Sequence, residues 1–257
     1  MASRTSDNDE TIDAVERCLR VMETLQKHDG AGVTEIANEL GWAKSTVHSH
    51  LRTLETNEYV LRRDDEYVLG FPLMELGEYV KTREPGYSAV EPKMEELAEQ
   101  TGKRIQFITN EHGYAVYVRI AEGQHAVSTG SRYGRRRPML HASAAGKAIL
   151  AYLPKSEVED IIDRRGFTEF TENTITDPET LFEELESVRE RGYAFNREEH
   201  ISGLRAVAAP VRNGGRVVGS LSVAGAARRM QGEYFEQELP ELLLGVVNEV
   251  ELDLEYS

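Results

Sequence analysis

Apolar residues recur at helical spacing early in the chain. Ile12, Val15, Leu19, Val21, Met22 and Leu25 mark one helix over residues 11–28, which Asp29-Gly30 stops. Thr34 is placed to cap a second helix carrying Ile36, Ala37 and Leu40, ended by Gly41. Ser45 is placed to cap a third, whose apolar face is Val47, His50 or Leu51, and Leu54. Two short runs, Tyr59-Val60-Leu61 and Tyr67-Val68-Leu69, read as strands around the charged connection Arg62-Arg63-Asp64-Asp65-Glu66. Three helices and a hairpin are thus predicted within residues 11–70.

From Gly70 to Arg83 a helical connector carries Leu73, Leu76 and Val80, and Glu84-Pro85-Gly86 is expected to break it. A different pattern follows. It predicts a helix over Val90–Thr101, strands Arg104–Thr109 and Tyr114–Ile120, an arginine-bearing loop, and a helix over Ala144–Tyr152. Helices near 156–165 and 177–191 come next, then strands near 192–196, 204–211 and 216–223. Asn213-Gly214-Gly215 joins the last two strands as a hairpin, and an amphipathic helix begins near Tyr234. Strands interleaved with helices give an α+β domain over residues 87–257, after a linker at 71–86.

The chain's 257 residues, 40% hydrophobic, are enough for two cores, with no repeat or low-complexity tract. No apolar run reaches the ~18 residues of a membrane span, and the polar, acidic start is unlike a secretory signal. Together with the single Cys18, these features predict a cytoplasmic protein without membrane attachment. Cys18 lies in the apolar pattern of the first helix and reads as a small hydrophobe rather than a nucleophile.

Charge alters this picture. There are 45 acids against 30 bases, a net −15, and 23 of the bases are arginine. Such a surface suits a halophile's cytoplasm, where a Debye length of about 3 Å at ~1 M salt leaves local contacts in control. An ordinary acidic protein is the alternative. Between Gly41 and Arg63 the balance reverses, with Lys44, Arg52, Arg62 and Arg63 against Glu55 and Glu58.

That reversal falls on the third helix and the hairpin, where a helix-turn-helix would meet DNA. Lys44, Ser45, Thr46 and His48 can reach phosphates or base edges. Ser49 and Arg52 lie further along, and Arg62 and Arg63 sit on the wing. A three-helix bundle used for protein contact is the competing reading of the same pattern.

The segment EIANELGWAKSTVHSHLRTLETNEYV, followed by YVLG, resembles the winged helix of the IclR family of transcriptional regulators, haloarchaeal type, and AVERCLRVMETL resembles that family's first helix. PMLHASAAGKAILAYLP and FNREEHISGLRAVAAPVRNGGRVVGSLSVAGAARRM resemble two segments of its C-terminal half. The resemblance implies a winged helix-turn-helix, a helical linker and a GAF-like α/β domain that binds a small-molecule effector, in a homodimer or homotetramer on double-stranded operator DNA. Family effectors are mostly organic, aromatic or sugar-derived acids. Carried over by motif, the effector-facing positions are Ser128 (expected in a strand), Ala144, Ala145, Gly146, Asn196, Ala206, Ser222 and Ala224. Where relatives carry Asp, a polar group or Ser, this chain has Asn196, Ala206 and Ala224, which implies a less polar wall.

Read without the resemblance, Ser143-Ala144-Ala145-Gly146 at a helix start is either an anion cradle or a close-packed helix entry. Arg205 and Glu199 read as surface ion pairs sooner than as cavity wall, and Arg132, Arg135, Arg136 and Arg137 as a solvated loop. None of the seven histidines has metal-ligand spacing, and Ser143 lacks the Gly-x-Ser-x-Gly elbow. No catalytic residue, metal or cofactor is assigned. A site assembled from His141, Glu199 and His200 by the fold stays open as an alternative.

Overall fold

The computed structural model describes residues 11–83, 85–130 and 133–256, and divides into two compact units at Val80/Lys81. Glu84 of the expected break and Arg132 of the arginine loop lie outside the described residues.

The first unit holds α1 (Asp13–His28), α2 (Val33–Leu40), α3 (Lys44–Thr56), the hairpin β1 (Val60–Arg63) and β2 (Glu66–Leu69), and most of α4 (Pro72–Thr82). Val21, Leu25, Ile36, Val47, Leu51, Leu54, Val60 and Tyr67 form its core, so Leu51 rather than half-buried His50 completes the α3 face. Each large aliphatic residue so buried contributes roughly 1.5–3 kcal/mol. Neither expected cap forms. α2 and α3 each begin two residues early, after Gly32 and Ala43, so Thr34 and Ser45 lie inside the first turns. The strands also run further into the charged connection than expected. Arg62 pairs with Tyr67 and Arg63 with Glu66, leaving a two-residue turn at Asp64-Asp65. Mutual Ala31–Tyr67 backbone bonds of 3.1 and 3.0 Å tie this wing to the α1–α2 connection.

The second unit opens with α5 (Pro85–Thr101), which starts earlier than the apolar pattern suggests. Pro85 therefore begins a helix, a position where its missing N–H costs nothing. Six strands follow: β3 (Arg104–Glu111), β4 (Tyr114–Glu122), β5 (Arg136–Arg137), β6 (Ala194–Arg197), β7 (Leu204–Asn213) and β8 (Arg216–Ala226). They form one antiparallel sheet in the order β5-β4-β3-β8-β7-β6. Between β5 and β6 come α6 (Ala144–Leu150), α7 (Lys155–Arg165) and α8 (Pro178–Arg191). After β8, a 3-10 turn at Ala227–Arg229 and a π turn at Tyr234–Glu238 lead into α9 (Leu239–Glu255). No helix among the described residues is long and apolar enough to cross a membrane.

The alternation of side chains along the strands sorts them onto two faces. Ile105, Phe107, Val207, Leu221 and Val223 pack with α5 and α9 in one core. Ile108, Ala206, Ala208 and Ala224 pack with α6 and the helices beyond it in the other. The arrangement is three layered, with helices covering both faces of the sheet.

Candidate nucleic-acid interface and ligand cavity

On α3, burial of Val47, Leu51 and Leu54 turns Lys44, Ser45, His48, Ser49 and Arg52 outward on one exposed face. Thr46 is half-buried at its edge. The Ser49 hydroxyl donates to Ser45 O at 3.0 Å, and that of Thr53 to Ser49 O at 3.0 Å. With no side-chain cap, and with the Thr46 and Val47 N–H groups donating to Ala43 O at 3.0 and 3.2 Å, the N–H groups of Lys44 and Ser45 are left to an outside acceptor such as a phosphate. On the wing, Arg62 Nε donates to Asp64 O at 3.1 Å and its Nη2 stands 3.7 Å from Asp65, so this arginine braces the turn. Arg63 is exposed with no partner among the described residues. Cys18 is half-buried, its Sγ 3.5 Å from His50 Nδ1, and burial pushes the thiol up, away from thiolate.

In the second unit a cavity lies between the sheet and the start of α6. Ala144, Ala145, Asn196, Ala206, Ser222 and Ala224 all line it, together with Gln106, Thr129 and His200. The register explains the grouping: Gln106 pairs with Ser222, Asn196 with Ala206, and Ala206 with Ala224. Two expected residues do not join them. A Cβ on Gly146 would stand 2.1 Å from Leu140 O, so this glycine permits close packing, and its N–H is spent on Ser143 Oγ at 3.0 Å. Ser128 belongs to no strand, because β4 ends at Glu122 and the chain turns at Gly123; its neighbour Thr129 lines the cavity instead.

The wall's polar groups differ in how committed they are. Asn196 Nδ2 donates to Ala142 O at 3.2 Å, and its Oδ1 accepts from Glu199 N at 3.0 Å. Ser222 and Gln106 are buried, with no side-chain hydrogen bond among the described residues. No Asp or Glu lines the cavity, whose volume is about 30 Å³.

Behind the cavity lies a buried ion pair that sequence reasoning missed. Lys147 on α6, 2% exposed, donates to Glu199 Oε1 and Oε2 at 2.8 and 2.7 Å, with Glu184 at 3.5 Å. Glu199 is therefore not the surface partner expected, because Lys147, one helical turn along from Ser143, reaches it beneath β6. Arg205 does make a partly exposed pair, with Glu198 at 3.3 Å. Thr171 and Thr174 hydroxyls hold Glu199 O at 3.1 and 2.6 Å, fixing the loop that follows β6. The one available signal was Lys147's helical position within a run of alanines and aliphatics.

The three members of the open alternative, His141, Glu199 and His200, share a neighbourhood without converging on one point. Phe170 stands between His141 and His200, and Glu199 turns to Lys147. No cluster of three metal-ligating side chains occurs among the described residues. His141 donates from Nε2 to Thr168 O at 3.1 Å, and burial holds it below its ordinary pKa. His200 falls to about 4, through burial first and then the charge of Arg137. Arg136 and Arg137 form β5 rather than a solvated loop, and Arg137 Nε is buried without a partner among the described residues.

Comparison with known proteins agrees with this geometry. The family profile described as "Bacterial transcriptional regulator IclR C-terminal" matches residues 83–251, and "IclR helix-turn-helix domain" matches residues 14–64. The probable HTH-type transcriptional regulator ArcR of Halobacterium salinarum is 32% identical over 250 residues, covering 95% of this chain and 94% of that protein. The regulator XynR of Escherichia coli K12 is 33% identical, over 85% of this chain and 88% of its own length. The crystal structure of Thermotoga maritima IclR superposes with a TM-score of 0.79 at 28% identity, covering 95% and 99% of the two chains. An IclR homolog from Microbacterium hydrocarbonoxydans, complexed with 4-hydroxybenzoate, shares the fold with a TM-score of 0.83 at 24% identity, over 95% and 100%. The chain belongs to the IclR family of DNA-binding transcriptional regulators, with an N-terminal helix-turn-helix and a C-terminal effector-binding domain, and members of this family are not enzymes.

Proposed function

We propose that this regulator's hold on its operator is set by a small organic acid, aromatic or sugar-derived, bound in the cavity beneath α6. The observation that carries this reading is the wall's polarity. Gln106, Ser222 and the first-turn N–H groups of Ala144 and Ala145 are uncommitted donors, and no carboxylate faces them. An anion entering there gains hydrogen bonds and meets no like charge. Arg137, beside His200, adds to the positive potential. The effector contacts are assigned to Ala144, Ala145, Asn196, Ala206, Ser222 and Ala224, with Gln106 added and Gly146 retained only as packing.

A cavity of about 30 Å³ must widen to admit such an acid, since ligand pockets typically span ~300–1,000 Å³. The loop carrying His200 and Ile201, which leads into β7 at Leu204, is the wall best able to move. Because Glu199 in that loop is tied to Asn196 and Lys147, displacement there reaches α6. A coupling of ~1–3 kcal/mol between effector and DNA is sufficient for regulation.

In this reading residues 11–70 bind DNA through Lys44, Ser45, Thr46, His48, Ser49, Arg52, Arg62 and Arg63. Residues 71–86 are the linker, and 87–257 form a GAF-like effector domain. A homodimer or homotetramer would present two winged helices to half-sites about 34 Å apart. Exposed apolar stripes support association: Ile12 just before α1 with Val15 and Leu19 on it, and Met74, Leu76, Tyr79 and Val80 on α4. The net charge of −15 and the arginine-rich base content favour a salt-adapted cytoplasm.

A thermal-shift screen of small carboxylic acids, followed by titration onto DNA from upstream of the protein's own gene, tests the proposal. One acid class should stabilise the protein and change DNA affinity. Gln106→Leu or Ser222→Ala should weaken that acid about five- to tenfold without unfolding the domain. An acid that stabilises both variants as well as the parent, or a screen without hits, would remove the assignment.

A further inference from the structure

Lys103 immediately precedes β3 and lies on the α5/α9 side of the sheet, away from the effector cavity. It is 6% exposed, yet no carboxylate or other acceptor among the described residues reaches its Nζ. The group facing the amine is the ring of Tyr234, its centroid 5.7 Å away. Other deeply buried cations of this unit are closed internally, Lys147 by Glu199 and Arg104 by Glu122. With 45 acids against 30 bases, the chain does not lack carboxylates to offer.

Space for this side chain is built into the fold. Gly225 on β8 lies against the lysine stem, where a Cβ would stand 3.2 Å from Lys103 Cδ and from the Met230 side chain. The amine forms part of the wall of an open groove of about 560 Å³, with Gln100, Tyr234, Leu239 and Leu242, and with Glu238 exposed at its rim. Burial first, and the neighbouring charge of Arg229 second, hold the amine below its ordinary pKa. Both effects disfavour the ammonium, and an external anion would relieve both.

We propose that this groove is a second ligand site, in which Lys103 takes the oxyanion of a small carboxylate or phosphate, with the charge of exposed Arg229 nearby, while Tyr234, Leu239 and Leu242 cover an apolar body. It shares no lining residue with the cavity beneath α6. The ligand carries one negative group, because Glu238 at the rim repels a second.

Seven lysines make the amine directly observable. Full-length protein carrying ¹³Cε-labelled lysine is titrated with phosphate and, separately, with benzoate, at ionic strength held constant with chloride. Lys103→Arg identifies the resonance. The expected result is a saturable shift of the Lys103 signal with one of the two anions, accompanied by a rise in its pKa. Arg229→Gln, an exposed change that leaves the fold intact, should weaken that response about fivefold. Ser222→Ala should leave it unaltered, which separates this site from the effector cavity. A response to phosphate alone or to benzoate alone identifies the oxyanion. No response to either anion, or an equal response to added chloride, overturns the proposal.

Discussion

Lys44 opens α3 and Lys147 lies in the first turn of α6, yet they stand at opposite extremes. Lys44 is exposed with no partner among the described residues; Lys147 is buried, its three donors facing Glu199 and Glu184. The same contrast runs through the two regions. Around α3 the polar side chains project outward, and their strongest internal bonds are to their own helix or turn. Beneath α6 they bond across long stretches of sequence: Asn196 to Ala142, Lys147 to Glu199, Ser220 to Ala145. An uncommitted cation contributes when something binds it. A closed buried pair contributes to holding one conformation. Mutations in the first region should therefore alter binding with little change in stability, and mutations in the second should do the reverse.

The sharpest way to break this contrast is to open the buried pair. Glu199→Gln leaves the Lys147 ammonium without its main counter-charge in a buried site, and should destabilise the effector domain by about 3 kcal/mol in urea unfolding. Lys147→Met combined with Glu199→Leu should recover most of that loss, because two apolar groups need no partner. If the single variant unfolds at the parent's midpoint, Glu184 at 3.5 Å has taken over, and the pair does not hold the loop.

Protonation tests the same region without mutation. His200 binds its proton only at about pH 4 in the folded protein, against 6.5 for the ordinary group. His141 is lowered in the same direction. The unfolded chain therefore takes up these protons first, and stability falls as pH drops from about 6.5 through 4. The His200 part should amount to roughly 2 kcal/mol once the full shift is discounted for solvent screening of a partly exposed ring. His200→Gln should flatten that slope in chemical denaturation followed between pH 7 and 4. An unchanged slope would assign the acid sensitivity to carboxylates instead.

The contrast also explains what the sequence could disclose. The first unit was legible because its signals are local. Periodic apolar residues set which face of α3 is buried, and the rest of the helix follows by geometry. The misplaced caps at Thr34 and Ser45 moved helix starts by two residues and left that face intact. In the second unit the family resemblance supplied Ser222, Ala224 and Ala206, and the strand register that groups them brings Gln106 to the same wall. Gly146 and Ser128 fall outside the cavity lining for tertiary reasons, Leu140 packing against the glycine and the chain leaving the sheet after Glu122. The Lys147–Glu199 pair joins residues 52 apart in sequence, and no local pattern encodes that separation.

The smallest expected effect on stability belongs to the wing. Arg62 and Arg63 look equivalent in sequence, but Arg62 braces the Asp64-Asp65 turn while the Arg63 side chain has no partner among the described residues. Arg63→Ala should change unfolding free energy by less than ~0.5 kcal/mol, as expected of an exposed side chain without partners. On DNA it should weaken binding to every sequence alike, and reduce the salt slope of log K by about 0.9, the share of one phosphate contact. Arg62→Ala should cost similar affinity and also loosen the turn. His48→Ala, on the exposed face of α3, should instead change which sequences are preferred, because a base-edge contact discriminates where a phosphate contact does not. Binding measured on operator and scrambled DNA at several salt concentrations separates the three variants. If Arg63→Ala left the salt slope unchanged while His48→Ala lowered it, phosphate contact would belong to α3 and the wing would stand clear of the backbone.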